Sequence, residues 1–335
     1  MSDDVITNGR GGHGFGRRSV LRGAAVGTAL PFLPTPAQAR TPEGSPATAP
    51  APGSVSLRWL GTAGWRIDVG GRTVLFDPYL TRFRTGLFEK AFDPATKIAP
   101  TDAALVREYA GRPELILVSH SHWDHIADVP HLAKTTGARV VGTETTFHLL
   151  VALGVDPLQI SVVKGGEVLD FGDGLTVEVV ASLHSRNKNH AYFAPGTLTA
   201  PPAAPATISD LPEGDTLAFQ VKAGSDGPAL FLMGASDIAD RPAEGLRPDV
   251  AMVAVPSSSA THRYVPRLLR ALGHPPVVVP VHWDNFETPL RGPVVPDPAM
   301  DLSGLIGQVR RESPASRVVV PDYRTVYGGD LRPRR

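Results

Sequence analysis

No cysteine occurs in the 335 residues of this chain. That absence excludes disulfide bridges, thiolate-held zinc and a thiol nucleophile together. Net charge is lacking too, because 33 basic side chains are matched by 33 acidic ones. No basic surplus is left to grip a phosphate backbone, which argues against nucleic acid as a main partner. No Gly-x-Ser-x-Gly surrounds Ser257, Ser258 and Ser259, so the nucleophile elbow of a serine hydrolase is missing and these serines read as loop and cap. Internal repeats are absent as well. The apolar stretch from Gly23 to Leu33 is too short and too interrupted to anchor the chain across a membrane.

What is present begins with an export signal. Gly16-Arg17-Arg18-Ser19-Val20-Leu21-Arg22 reads as a twin-arginine motif, followed by that short apolar segment and by Ala37-Gln38-Ala39 at cleavage spacing. The expectation is a signal over residues 1–39, a mature start at Arg40, and the twin-arginine translocase as a transient partner. The mature protein would then be secreted, periplasmic or on the cell-wall side. Residues 40–53, rich in Pro, Ala and Gly, read as a linker. Residues 54–335 are enough for one large domain, and a 42% apolar content can fill its core.

The densest chemistry lies in Ser119-His120-Ser121-His122-Trp123-Asp124-His125, directly after the apolar run Leu115-Ile116-Leu117-Val118. A buried strand ending in such a cluster delivers imidazoles and a carboxylate to one point at a sheet edge. Those groups are ligands for Zn²⁺ and similar cations, and gathering them without a cation would bury unpaired polar groups. The stretch reads as a metal site.

The pattern His-x-His-x-Asp-His resembles the signature of the metallo-β-lactamase superfamily. Later positions follow in order, each after a β-rich apolar run: His184, Asp237 and His282. The opening strands, with Gly61-Thr62-Ala63-Gly64 and Asp77-Pro78, resemble the ascorbate-6-phosphate lactonase-like branch. The metal loop is also similar to that of N-acyl-phosphatidylethanolamine phospholipase D-like proteins. The resemblance implies an α/β fold, the four-layer αββα sandwich, from about Val55 onward. It implies two divalent ions, Zn²⁺ first and Mn²⁺ or Fe²⁺ as fitting alternatives. His120, His122 and His184 would hold one, and Asp124, His125 and His282 the other, with Asp237 bridging them. Asp124 then carries the second ion in a chain without cysteine. It also implies a water shared by the ions, ionised near neutral pH, attacking a lactone, ester or amide carbonyl or a phosphodiester. Asp124 or Asp284 would accept a proton on turnover.

Around this centre, Asp77 is expected either to hold a ligand imidazole from behind or to start the Asp-Pro turn, and it can do both. Arg186 and Lys188, in a polar loop after His184, and Arg263 suit a small anionic substrate. The four tryptophans either line the cleft or fill the core. Residues 80–100, with Phe83, Phe88 and Phe92, either cover the site or pack on the domain. Two further readings are a metal binder without catalysis and a di-iron redox protein. His122 argues against the second, which in this fold carries glutamate there.

Overall fold

The computed structural model describes residues 55–255 and 261–334. The expected signal over 1–39, the linker over 40–53 and the serines Ser257 to Ser259 lie outside the described residues. Among those described, no helix is long and apolar enough to cross a membrane.

Alternating apolar residues and Gly-containing turns start the chain as a meander: β1 (Val55–Gly61), β2 (Gly64–Val69) and β3 (Arg72–Phe76) pair antiparallel. Helix α1 (Ala103–Ala110) then crosses to β4 (Leu115–Leu117), which lies parallel to β3. Asp102 caps α1 by accepting from Ala104 and Leu105 N–H. The metal loop turns through α2 (Trp123–Ile126) into α3 (Val129–Thr136), then β5 (Arg139–Gly142), α4 (Glu144–Ala152) and β6 (Ile160–Val162). Thr143 caps α4.

The second half repeats the plan. The strands β7 (Val168–Asp170), β8 (Leu175–Ser182), β9 (Thr216–Ala223) and β10 (Ala229–Met233) are antiparallel neighbours. The chain continues through α5 (Asp240–Ala243), β11 (Val250–Ala254), α6 (Tyr264–Ala271), β12 (Val277–Val281), α7 (Leu302–Glu312) and β13 (Arg317–Val318), and these later strands lie parallel to β10. The last strand, β14 (Val326–Gly328), returns to pair with β1.

Two seven-stranded mixed sheets result, ordered β14-β1-β2-β3-β4-β5-β6 and β13-β12-β11-β10-β9-β8-β7. Their inner faces share one apolar core, in which Phe76 of β3 meets Phe219 of β9 edge-on with ring centres 6.1 Å apart. This is the expected metallo-β-lactamase type of sandwich, with helices flanking the sheets. Strand direction decides where the site forms. β3, β4, β8, β10, β11 and β12 all end at one edge, so the residues after them converge there, as ligands do at the carboxyl ends of strands in α/β sheets.

Candidate metal centre

The loop after β4 is stitched across the sandwich, with Leu217 N–H donating to the Ser119 carbonyl at 2.8 Å and Ser121 N–H to the Glu213 carbonyl at 3.0 Å. It brings His120 and His122 against His184, which follows β8. It also brings Asp124 and His125 against His282, which follows β12. The ligand atoms of each triad lie within 4.8 Å of one another. The triads adjoin, since the His120 ring centre is 3.9 Å from that of His125 and 4.9 Å from that of His184.

Four of the five imidazoles are oriented from behind, which fixes the nitrogen left for the cluster. His125 Nδ1 sits 2.8 Å from Asp77 Oδ2. His120 Nδ1 is 3.0 Å from Ser119 Oγ, whose hydroxyl donates to the same carboxylate at 2.5 Å. His184 Nδ1 lies 2.8 Å from the Ser185 carbonyl. His122 makes a hydrogen bond to the Ala194 backbone, while its Nε2 is buried with no partner. A buried ring nitrogen with nothing to bond is what a ligand looks like before its ion is added. The residues fit divalent metal.

Asp77 therefore serves both triads, and it also opens the Asp-Pro turn in a left-handed conformation, φ 40°. Two more strained residues set the far side. His282 has φ 60° and Thr62 has φ 52°, and a β-branched residue at positive φ is an outlier. They are held together: His282 N–H donates to the Thr62 carbonyl at 2.7 Å, and Thr62 N–H donates to Asp284 Oδ1 at 2.9 Å. Asp284 Oδ2 accepts from Tyr323 at 2.5 Å and from Arg82 at 3.2 Å. Both oxygens are thus committed in a residue only 1% exposed, so Asp284 is an anchor for His282 and not the proton acceptor expected from the sequence.

Asp237 departs from the expected bridge. Its Oδ1 accepts from Arg267 Nη2 and from Ile238 N–H, each at 2.8 Å, and it joins neither triad. The residues of that turn that line the cavity of the metal centre are Gly234, Ala235 and Ser236. A side chain on Gly234 would collide with Ser119 and Asp77, and Ala235 brings only a methyl. The two triads therefore face each other with no carboxylate spanning them among the described residues. Asp237→Asn is expected to leave the metal content unchanged, as measured by plasma mass spectrometry after dialysis. A loss of metal would return Asp237 to the site.

Electrostatics separates the triads. Burial, aided by neighbouring imidazoles, drives His120 well below the usual histidine range. Burial likewise lowers His122 to about 3 and His184 to about 4. His125 goes the other way. Burial opposes its charge, but Asp124 and Asp77 together outweigh that and raise it to about 10. Asp124 is held well below the carboxylate range because His125 and His282 outweigh its own burial. At neutral pH the three-histidine triad has no proton to lose, whereas an ion entering the other must displace one from His125 at any pH below about 10. Raising the pH therefore favours the second triad, by about tenfold per unit, and leaves the first unchanged. Calorimetry at pH 7.5 in buffers of different ionisation enthalpy should find about one proton released in one binding step and none in the other.

A cavity of about 370 Å³ opens onto both triads, lined beyond the ligands by residues that include Leu87, Phe92, Trp123, Phe193, Phe286 and Met300. Arg186, Lys188 and Arg263, the expected anion contacts, do not line it. Lys188 and Arg263 are exposed. Arg186 stacks over Tyr192 at 5.1 Å and lines a neighbouring cavity that also touches His184. What the loop after His184 delivers instead is Phe193, with Tyr192 stacked on the His184 ring at 4.8 Å. Of the tryptophans only Trp123 lines the cavity, while Trp59 and Trp65 are fully buried and Trp283 stacks on Trp59.

Residues 56–282 match the model of the beta-lactamase superfamily domain. A metal-dependent hydrolase of Myxococcus xanthus is 27% identical over 323 residues, which is 91% of this chain and 96% of that one. A metal-dependent hydrolase of Pyrobaculum arsenaticum is 27% identical over 134 residues, 40% of this chain. There the match spans about half of the relative, 52% of its length. Among solved structures, a metallo hydrolase from Ignicoccus hospitalis superposes with a TM-score of 0.51 at 20% identity, covering 80% of this chain and 94% of the other. At that identity the likeness concerns the fold.

Proposed function

The chain belongs to the beta-lactamase superfamily, and from that premise we propose that it is a metal-dependent hydrolase cleaving a lactone, ester or amide carbonyl. The observation that carries this reading is the pair of adjoining triads at the floor of a small-molecule cavity. Divalent ions held there by His120, His122 and His184, and by Asp124, His125 and His282, would supply an acidified water as nucleophile and an electrophilic contact for the oxyanion.

The chain's own part is positioning. Asp77 and Ser119 hold two imidazoles in place, the Asp284 network fixes His282, and Asp124 lies 3.1 Å from His282 Nε2 and 3.4 Å from His125 Nε2. A carboxylate there accepts the proton released when water adds to the carbonyl, as a general base must. The acyl–oxygen or acyl–nitrogen bond breaks, one water is consumed, and a carboxylate and an alcohol or amine leave. A phosphodiester is less well served, because no Lys or Arg among the described residues lines this cavity.

Purified protein should hold divalent metal by plasma mass spectrometry, zinc first on ligand type. It should also turn over some member of a panel of chromogenic esters, lactones and amides, with loss on chelation and recovery on adding metal. A metal-loaded protein inactive on all of them, and active on bis-p-nitrophenyl phosphate, would replace the carbonyl reading by the phosphodiester one. Export belongs to the same proposal. The N-terminus of the protein recovered outside the cytoplasm should be Arg40, and an intact residue 1–39 segment on that protein would remove the signal.

A further inference from the structure

The wall of the cavity carries information about the substrate that the ligands do not. Phe92, Trp123 and Phe193 pack as a trio, with ring centres 5.2 to 6.0 Å apart. Phe193 continues onto the His122 ring at 5.6 Å. On the opposite side Phe286 stands edge-on to the His282 ring at 5.4 Å. Apolar walls thus flank both triads, and Leu87 and Met300 add to them. Apart from Asp124 and the histidines of the triads, no ionisable side chain among the described residues lines this space.

We infer that the substrate is a neutral carbonyl compound whose acyl side is an apolar chain or ring, seated against the wall that Phe92, Trp123 and Phe193 form together while its carbonyl lies over the triads. This rests on the hydrolytic reading above and narrows it. A charged acyl group in that space would be desolvated with no partner. An apolar one gains about threefold to fourfold in affinity per methylene buried. The cavity's volume of about 370 Å³ falls at the lower end of the range of small-molecule sites. That suits a medium-length acyl chain or a single ring system.

The products of such a reaction are the probes. Zinc-loaded protein is titrated with acetate, butanoate, pentanoate, octanoate and glutarate while tryptophan fluorescence is followed, with Trp123→Phe as the variant that loses the signal. Affinity is expected to rise by about threefold to fourfold per methylene from butanoate to octanoate, and glutarate to bind at least about tenfold more weakly than pentanoate. Phe193→Ser is expected to flatten the slope. Equal affinity along the series, or glutarate binding as well as pentanoate, overturns the inference. The p-nitrophenyl esters of the same acids separate the two claims. Tight octanoate binding with no ester hydrolysed sinks the hydrolase and leaves the apolar site. Hydrolysis of acetyl and glutaryl esters as fast as octanoyl sinks the apolar site and leaves the hydrolase.

Discussion

Asp124→Ala is expected to give a folded protein that has lost nearly all turnover and binds one fewer ion tightly. Asp124 is the only carboxylate in either triad, and both imidazoles of its own triad face its Oδ2. Removing an outer partner of a metal ligand typically costs roughly 10–100-fold in affinity or activity, and removing a ligand that is also the nearest base should exceed that. The fold has no need of it: the apolar core of both sheets lies beneath the loop, untouched by the change. The loss of Asp124 also removes the first charge holding the His125 proton, so the variant should release fewer protons when metal is added. Circular dichroism, metal content and turnover read the three effects separately. Full activity in the variant would remove Asp124 from the mechanism.

The second large effect lies away from the reaction. Asp284→Ala is expected to lower stability by about 3–5 kcal/mol, because it leaves a buried guanidinium without its counter-charge. Arg82 and Asp284 are 1% and 0% exposed at their side chains, so solvent does little to screen the loss. The change also frees Thr62 N–H and the Tyr323 hydroxyl, and with them the strained Thr62–His282 contact. For a chain of this size the melting temperature should fall by about 4–9 °C. Metal affinity at the Asp124–His125–His282 triad should fall with it. An Arg82→Met, Asp284→Leu double variant should recover much of the melting temperature, since removing both charges removes the unpaired one, but not the metal affinity. An unchanged melting curve for Asp284→Ala would mean that this network holds nothing in place.

Much of this centre was legible because its signals are local. Six residues from His120 to His125 follow one apolar strand, and His184 and His282 each stand just past a β-rich run, where strand ends are readable from pattern alone. Helix starts carry local signals of the same kind, as at Thr143 and Asp301, whose side chains accept from the first turn. What was not legible depends on which way a turn faces. In Gly234-Ala235-Ser236-Asp237 the one carboxylate drew the assignment, yet the backbone sends Asp237 to Arg267 and leaves Ala235 at the cavity. A period-two pattern stops at the strand's end and cannot choose among turn residues.

The aromatic wall escaped for a related reason. Leu87 and Phe92 come from the connection before α1, Phe193 from the one before β9, and Phe286 and Met300 from the one before α7, where apolar residues have no periodicity to mark a shared face. Residues 80–100 in fact split: Phe92 and Leu87 line the cavity, while Phe83 and Phe88 pack on Tyr79 and Phe286. The basic loop misled because its charges are conspicuous and Phe193 is not. The Arg82–Asp284–Tyr323 network links positions up to 241 apart, a pairing that no local rule reaches.

The most direct test is a crystal structure of metal-loaded protein with anomalous scattering recorded at the metal edge. It should show two peaks, one bonded to His120, His122 and His184 and the other to Asp124, His125 and His282, with Asp237 still on Arg267. No ion at either triad, or an ion bound through Asp237, would contradict the account.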